Sequence, residues 1–137
     1  MLQRPEVLYV EDSAGDALLT GQILAEAVPS VKLTVARDGE QALTMLADPS
    51  FAPVLVILDL NLPVLSGFDV LERNPRPEIP VVVFSVSVNP SDMDRALATG
   101  AHACFQKPLD LGAYRDAVLA MIDLWASPGK EATGAAS

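Results

Sequence analysis

The sequence predicts a single α/β domain: an open, doubly wound, five-stranded parallel sheet with helices on both faces. Short apolar segments rich in β-branched and aromatic residues alternate five times with stretches of helical spacing. The third and fourth apolar segments have no polar alternation, as expected of strands covered on both sides. The chain has 137 residues, half of them hydrophobic, which suits one packed core and leaves no room for a second ordinary domain.

The elements follow in order. Val7 to Val10 is the first strand, and Leu19, Ile23, Leu24 and Ala27 share one face of a helix near 15–28. Val31 to Ala36 is the second strand, after which Asp38 stands where the cap of a helix over 39–47 belongs. Val54 to Leu58 is the third. The helix after it, over 66–73, must end near Arg73 after about two turns, because Pro75, Pro77 and Pro80 cannot continue it. Val81 to Phe84 is the fourth strand; Ser91 is expected to cap the next helix, over 91–99, and Gly100 to close it. Ala103 to Phe105 is the fifth strand. Leu111, Tyr114, Val118, Ile122 and Trp125 then form the apolar stripe of a last helix near 110–126, which assigns Tyr114 and Trp125 chiefly to the core. Residues 1–126 are expected to form the domain. Residues 127–137, small and polar with Pro128, Gly129 and Gly134, are expected to be a flexible tail.

Composition narrows the function. Eighteen acidic and nine basic side chains give a formal charge of −9, a field that repels nucleic-acid phosphates and anionic lipid. Cys104 is the sole cysteine, which excludes an internal disulfide and multi-cysteine metal sites; it reads as a small buried hydrophobe. His102 is the sole histidine, expected to face solvent without a role, so a Ser-His-Asp triad elsewhere is excluded. The longest purely apolar run, Val54 to Leu58, is far too short to span a bilayer, and the N-terminus has no apolar signal segment. A cytoplasmic location is expected.

The chemistry lies just beyond the strands. Glu11 and Asp12 follow the first, Asp59 the third, Ser85 the fourth and Lys107 the fifth. The strand ends of a doubly wound sheet share one edge, and the flavodoxin-like order 2-1-3-4-5 sets strands one and three side by side at the reversal. Glu11, Asp12 and Asp59 then converge, and their mutual repulsion calls for a counter-charge. A hard divalent cation such as Mg²⁺ and the Lys107 ammonium are the two candidates. Such a site suits phosphoryl transfer. Asp59 would attack phosphorus to give an acyl phosphate, with Mg²⁺ and Lys107 neutralising the equatorial oxygens.

The stretches YVEDS, LDLNLPVLSG, VVVFSVS and GAHACFQKPLD, in that order between about Val7 and Trp125, resemble the successive signatures of the two-component response-regulator receiver domain. EDSAGDALLT, LDLNLP, KPLD and Trp125 further resemble the small stand-alone regulators paired with bacterial phytochromes. The resemblance implies a phosphorelay protein that is not a turnover enzyme. Its phosphoacceptor is Asp59, supplied by a sensor histidine kinase, with a bacterial phytochrome as the narrower expectation. It implies Mg²⁺ held by Asp12 directly, by Glu11 largely through water, by Asp59, and by the backbone carbonyl of Asn61. Lys107 would pair with the carboxylate at rest and with the phosphoryl group afterwards. Ser85 would swing its hydroxyl onto a phosphoryl oxygen, and the Lys107–Pro108 bond would be cis. The surface around helix four, strand five and helix five would switch, and a homodimer through that face is implied. Asp92, Asp94, Arg95, Asp110, Arg115 and Asp116 could pair across a two-fold axis there.

One departure stands out. The family commonly has an aromatic residue three places before the lysine, where this chain has Cys104; the neighbouring Phe105 must point to the opposite face. Two rival readings accompany the first. An aspartyl-phosphate phosphatase or mutase would need a second aspartate where Asn61 stands. A phosphorylation-independent receiver-like interaction module would keep the fold without the chemistry.

Overall fold

The computed structural model describes residues 4–126, so the segment 127–137 expected to form a tail lies outside the described residues. The elements run β1 (Glu6–Val10), α1 (Ala14–Ala27), β2 (Lys32–Ala36), α2 (Gly39–Ala47), β3 (Leu55–Leu58), α3 (Gly67–Arg73), β4 (Val81–Ser85), α4 (Pro90–Thr99), β5 (Ala103–Gln106) and α5 (Leu111–Trp125). All four strand pairings are parallel and the sheet order is β2-β1-β3-β4-β5, as expected.

Alternation along the strands splits the core in two. On one face Leu8, Val10, Val56, Leu58, Val81 and Val83 pack against Ala42 and Leu46 of α2, Val70 and Leu71 of α3, and Ala96 of α4. On the other, Val7, Tyr9, Leu55, Ile57, Val82 and Phe84 meet Ile23 and Leu24 of α1, and Tyr114, Val118, Met121 and Ile122 of α5. The same alternation sends Cys104 to the first face and Phe105 to the second, where Phe105 meets Trp125 nearly edge-on at 6.3 Å between ring centroids.

Helix ends follow local chemistry. Asp38 caps α2 by accepting from the Gln41 N–H, and Ser66 and Asp69 close a reciprocal capping box on α3. Gly100, at φ +125°, ends α4 in a backbone region open to glycine. The prolines stop α3 at Arg73, as expected; Arg76 then ties the following loop across to the Phe51 carbonyl at 2.9 Å. Ser91 is not the cap of α4. Asn89 is, its side chain accepting from the Asp92 N–H. Pro90 is the reason, since its fixed φ and missing N–H fit the first helical position and move the cap one place ahead of it.

No peptide bond among the described residues is cis, so Lys107–Pro108 is trans, contrary to expectation. Trans is the lower-energy form of an X–Pro bond by about 0.5–1 kcal/mol. Lys107 is instead fixed by the carboxylates around its ammonium group.

Candidate functional site

The parallel register builds the site. Val10 pairs with Leu58, so Glu11 and Asp59 leave neighbouring strands at the same level, and the Asp59 N–H donates to the Val10 carbonyl at 3.1 Å. The Lys107 N–H donates to the Ser85 carbonyl at 2.7 Å, which levels the exits of β4 and β5. Glu11, Asp59, Ser85 and Lys107 are all buried, with exposures of 5 % or less, whereas Asp12 and Asn61 are exposed at the rim. Every chemistry-bearing residue expected from the sequence is therefore at this edge.

The Ser85 hydroxyl donates to Asp59 Oδ1 at 2.5 Å and accepts from the Leu60 N–H and the Asn61 side-chain amide. At rest the hydroxyl is thus already in contact with the carboxylate. Asp59 Oδ1 also accepts from the Asn61 N–H at 2.9 Å. Asp59 Oδ2 is engaged more loosely, by Lys107 Nζ at 3.3 Å. Burial alone would raise the Asp59 pKa; Ser85, the Asn61 N–H and the Lys107 charge overcome it and hold the carboxyl below its usual range.

Lys107 Nζ also donates to Glu11 Oε1 and, at 2.8 Å, to Asp16 Oδ2 on the first turn of α1. Burial opposes its charge, but these carboxylates outweigh burial and raise its pKa. Glu11 is pushed up to about 7, because burial outweighs the pull of Lys107 and the nearby Asp59 charge adds to it. Behind Glu11 runs a buried hydroxyl chain. Tyr9 donates to Glu11 Oε1 at 3.0 Å and lies 3.4 Å from the Tyr114 hydroxyl, which lies 3.0 Å from Thr20 Oγ1.

One carboxylate oxygen from each of Glu11, Asp12 and Asp59 lies within 4.8 Å of the others. This all-oxygen donor set, with Lys107 as its buried ammonium partner, fits a hard divalent cation such as Mg²⁺. Reasoning from sequence missed two participants. Asp16 had a signal, an acid in the first turn of the helix whose start faces this edge. The Tyr9–Tyr114 pair had none, since both residues fit the apolar pattern and only their hydroxyl ends depart from it.

The family described as the response regulator receiver domain matches residues 7–119. The two-component response regulator ARR17 of Arabidopsis thaliana is 35 % identical over 125 residues, covering 81 % of this chain and 80 % of that one. Response regulator Rcp1 of Synechocystis is 38 % identical over 96 residues, 64 % of this chain and 65 % of that one. The Mn²⁺-bound form of Rcp1 superposes with a TM-score of 0.77 at 30 % identity, covering 87 % and 92 % of the two chains. The phosphorylated cyanobacterial phytochrome response regulator RcpA gives a TM-score of 0.83 at 28 % identity, covering 91 % of this chain and 96 % of that one. Among the described residues, no helix is long and apolar enough to cross a membrane.

Proposed function

The chain belongs to the response regulator receiver domain family, signalling domains of two-component systems, and on that premise we propose that Asp59 is the phosphoacceptor of a phosphorelay. The observation that carries this reading is the convergence of the Glu11, Asp12 and Asp59 oxygens beside one buried ammonium. Asp59 Oδ2, the less engaged oxygen, attacks phosphorus on a phosphohistidine of a sensor kinase. The P–N bond breaks, its electron pair leaves on the imidazole nitrogen, and the acyl phosphate forms. Lys107 and Ser85 flank the incoming group, and most of the rate comes from holding the reactants in line. Glu11, Asp12, Asp59 and the Asn61 carbonyl would hold Mg²⁺, whose chemistry is to neutralise phosphoryl oxygens.

The likeness to RcpA, a cyanobacterial phytochrome response regulator, supports a donor kinase of the bacterial phytochrome type. A second copy of the chain is the partner we favour for the α4–β5–α5 face. Met93, Leu97, Leu109 and Leu111 are exposed there beside the charges of Asp94, Arg115 and Asp116, while Arg95 already stacks on Phe68 at 4.0 Å. The rival, a phosphorylation-independent module, is favoured by one observation, the non-aromatic Cys104.

Incubation with Mg²⁺ and acetyl phosphate, read by intact mass, tests the proposal. Wild type should gain one phosphoryl group and Asp59→Asn none. No gain by wild type, or equal gain by the variant, overturns it. Sedimentation with and without phosphodonor tests the dimer, and a monomer throughout at high concentration would remove it.

A further inference from the structure

We infer that Asp16 is a positioning residue that keeps the Lys107 ammonium drawn toward α1, favouring the metal-loaded, unphosphorylated site over the phosphorylated one. The inference rests on Asp59 being the phosphoacceptor.

An ammonium has three N–H donors. Those of Lys107 go to Glu11, to Asp16 at 2.8 Å and to Asp59 at 3.3 Å, so the phosphoacceptor has the longest of the three contacts. Glu11 is 1 % exposed and has other donors, Tyr9 and the Ser13 N–H. Asp16 differs. Its side chain is 32 % exposed and stands outside the convergent oxygens of Glu11, Asp12 and Asp59. Its backbone is fixed by the Ser13 hydroxyl, which accepts the Asp16 N–H at 3.2 Å and so sets the turn from which the carboxylate reaches Lys107. The cost of holding a lysine here is a fourth negative charge at a site that already carries three.

That charge acts in opposite directions on the two states. A divalent cation gains from an extra carboxylate nearby. A phosphoryl group on Asp59 adds negative charge and needs Lys107 as its counter-ion. Asp16 repels that group and competes with it for the lysine. Removing the Asp16 charge should therefore weaken metal binding and tighten the phosphoryl state. A side chain that only held the fold together would weaken both when replaced.

The test is isothermal titration of the full chain with Mg²⁺ alone, then with beryllium fluoride at saturating Mg²⁺ as the phosphoryl mimic. In Asp16→Asn, Mg²⁺ should bind about three- to tenfold more weakly and beryllium fluoride about threefold more tightly, as expected for one unit charge near these groups in a solvent-like dielectric. Asp16→Glu, which keeps the charge, should stay within about twofold of wild type for both. Asp16→Ala is the second charge-removing variant, expected to shift with the same signs should Asp16→Asn not fold. Both affinities falling together, both unchanged, or Asp16→Glu behaving as Asp16→Asn overturns the inference. If wild type binds neither probe, or Asp59→Asn binds beryllium fluoride as well as wild type does, the phosphoacceptor reading fails and takes this inference with it.

Discussion

Gly67 packs the start of α3 against the chain leaving β3, and Gly67→Ala puts a carbon where there is no room for it. A Cβ at this position would lie 2.6 Å from the Asp59 carbonyl oxygen, 2.6 Å from Leu60 Cα and 3.0 Å from a Leu60 methyl. Ordinary contact begins near 3.4 Å, so backbone must retreat by about 0.8 Å. Two of the three obstructing atoms are main chain and cannot rotate away. The Gly67 N–H also donates to the Leu60 carbonyl at 3.0 Å, so the retreat either breaks that bond or drags Asp59 off Ser85. Overpacking of this kind costs about 1–3 kcal/mol, and the strained hydrogen bond about 1 more. Alanine's better helix propensity recovers only part of this at the first helical position. The expected net loss is about 2–3 kcal/mol, or a fall in Tm of about 6–12 °C for a domain of this size. Thermal unfolding by circular dichroism measures the first effect. Acetyl-phosphate labelling below both melting transitions measures the second, expected to be slower in the variant because Asp59 is displaced. A Tm within 2 °C of wild type would refute the steric reasoning.

Three further outcomes follow from the same geometry. With Glu11 raised to about 7 in the fold from an ordinary 4.5, the native state keeps a proton that the unfolded chain has lost between those values. Stability of the metal-free protein should thus be greatest below pH 4.5 with respect to this group, fall as pH rises toward 7 by on the order of 3 kcal/mol, and level off above; urea unfolding in EDTA measures the slope, which Glu11→Gln should abolish. Ser85→Ala leaves the buried Leu60 N–H without its hydroxyl acceptor and Asp59 Oδ1 with only the Asn61 N–H as donor, so it should cost about 1–3 kcal/mol in urea. It should also raise the Asp59 pKa, seen as an acid limb of the labelling rate moved to higher pH. Asn89→Ala should cost about 1 kcal/mol and Ser91→Ala a few tenths at most, since Asn89 holds the cap; equal losses would argue for the other assignment.

The sheet and most of the site were legible because they depend on rules with short reach. Unbroken apolar runs at Val54 to Leu58 and Val81 to Phe84 can only be strands covered on both faces, and parallel strands bring their carboxyl ends to one edge. Glu11, Asp59, Ser85 and Lys107 could thus be placed together without knowing a single distance. The misses have physical causes of the opposite kind. Ser91 was a good cap in isolation, and it was the ring of Pro90 that moved the cap to Asn89. Tyr9 and Tyr114 satisfy the burial pattern with their rings, so nothing marks the hydroxyls that join them to Glu11 and Thr20. Asp16 reaches Lys107 across 91 positions of chain, a pairing set by how α1 lies over the sheet edge. The geometry of the Lys107–Pro108 bond is conformational, and spacing does not encode it.

The edge-on meeting of Phe105 with Trp125 has a practical side. Phe105 sits two residues before Lys107, while the indole, the only one in the chain, belongs to the closing turn of α5. A sub-ångström slip between that strand and that helix would alter what the indole touches and how much water reaches it. The molecule therefore carries a native fluorophore at the seam between β5 and α5. Emission excited near the red edge of the tryptophan band can follow motion there in real time, without a label.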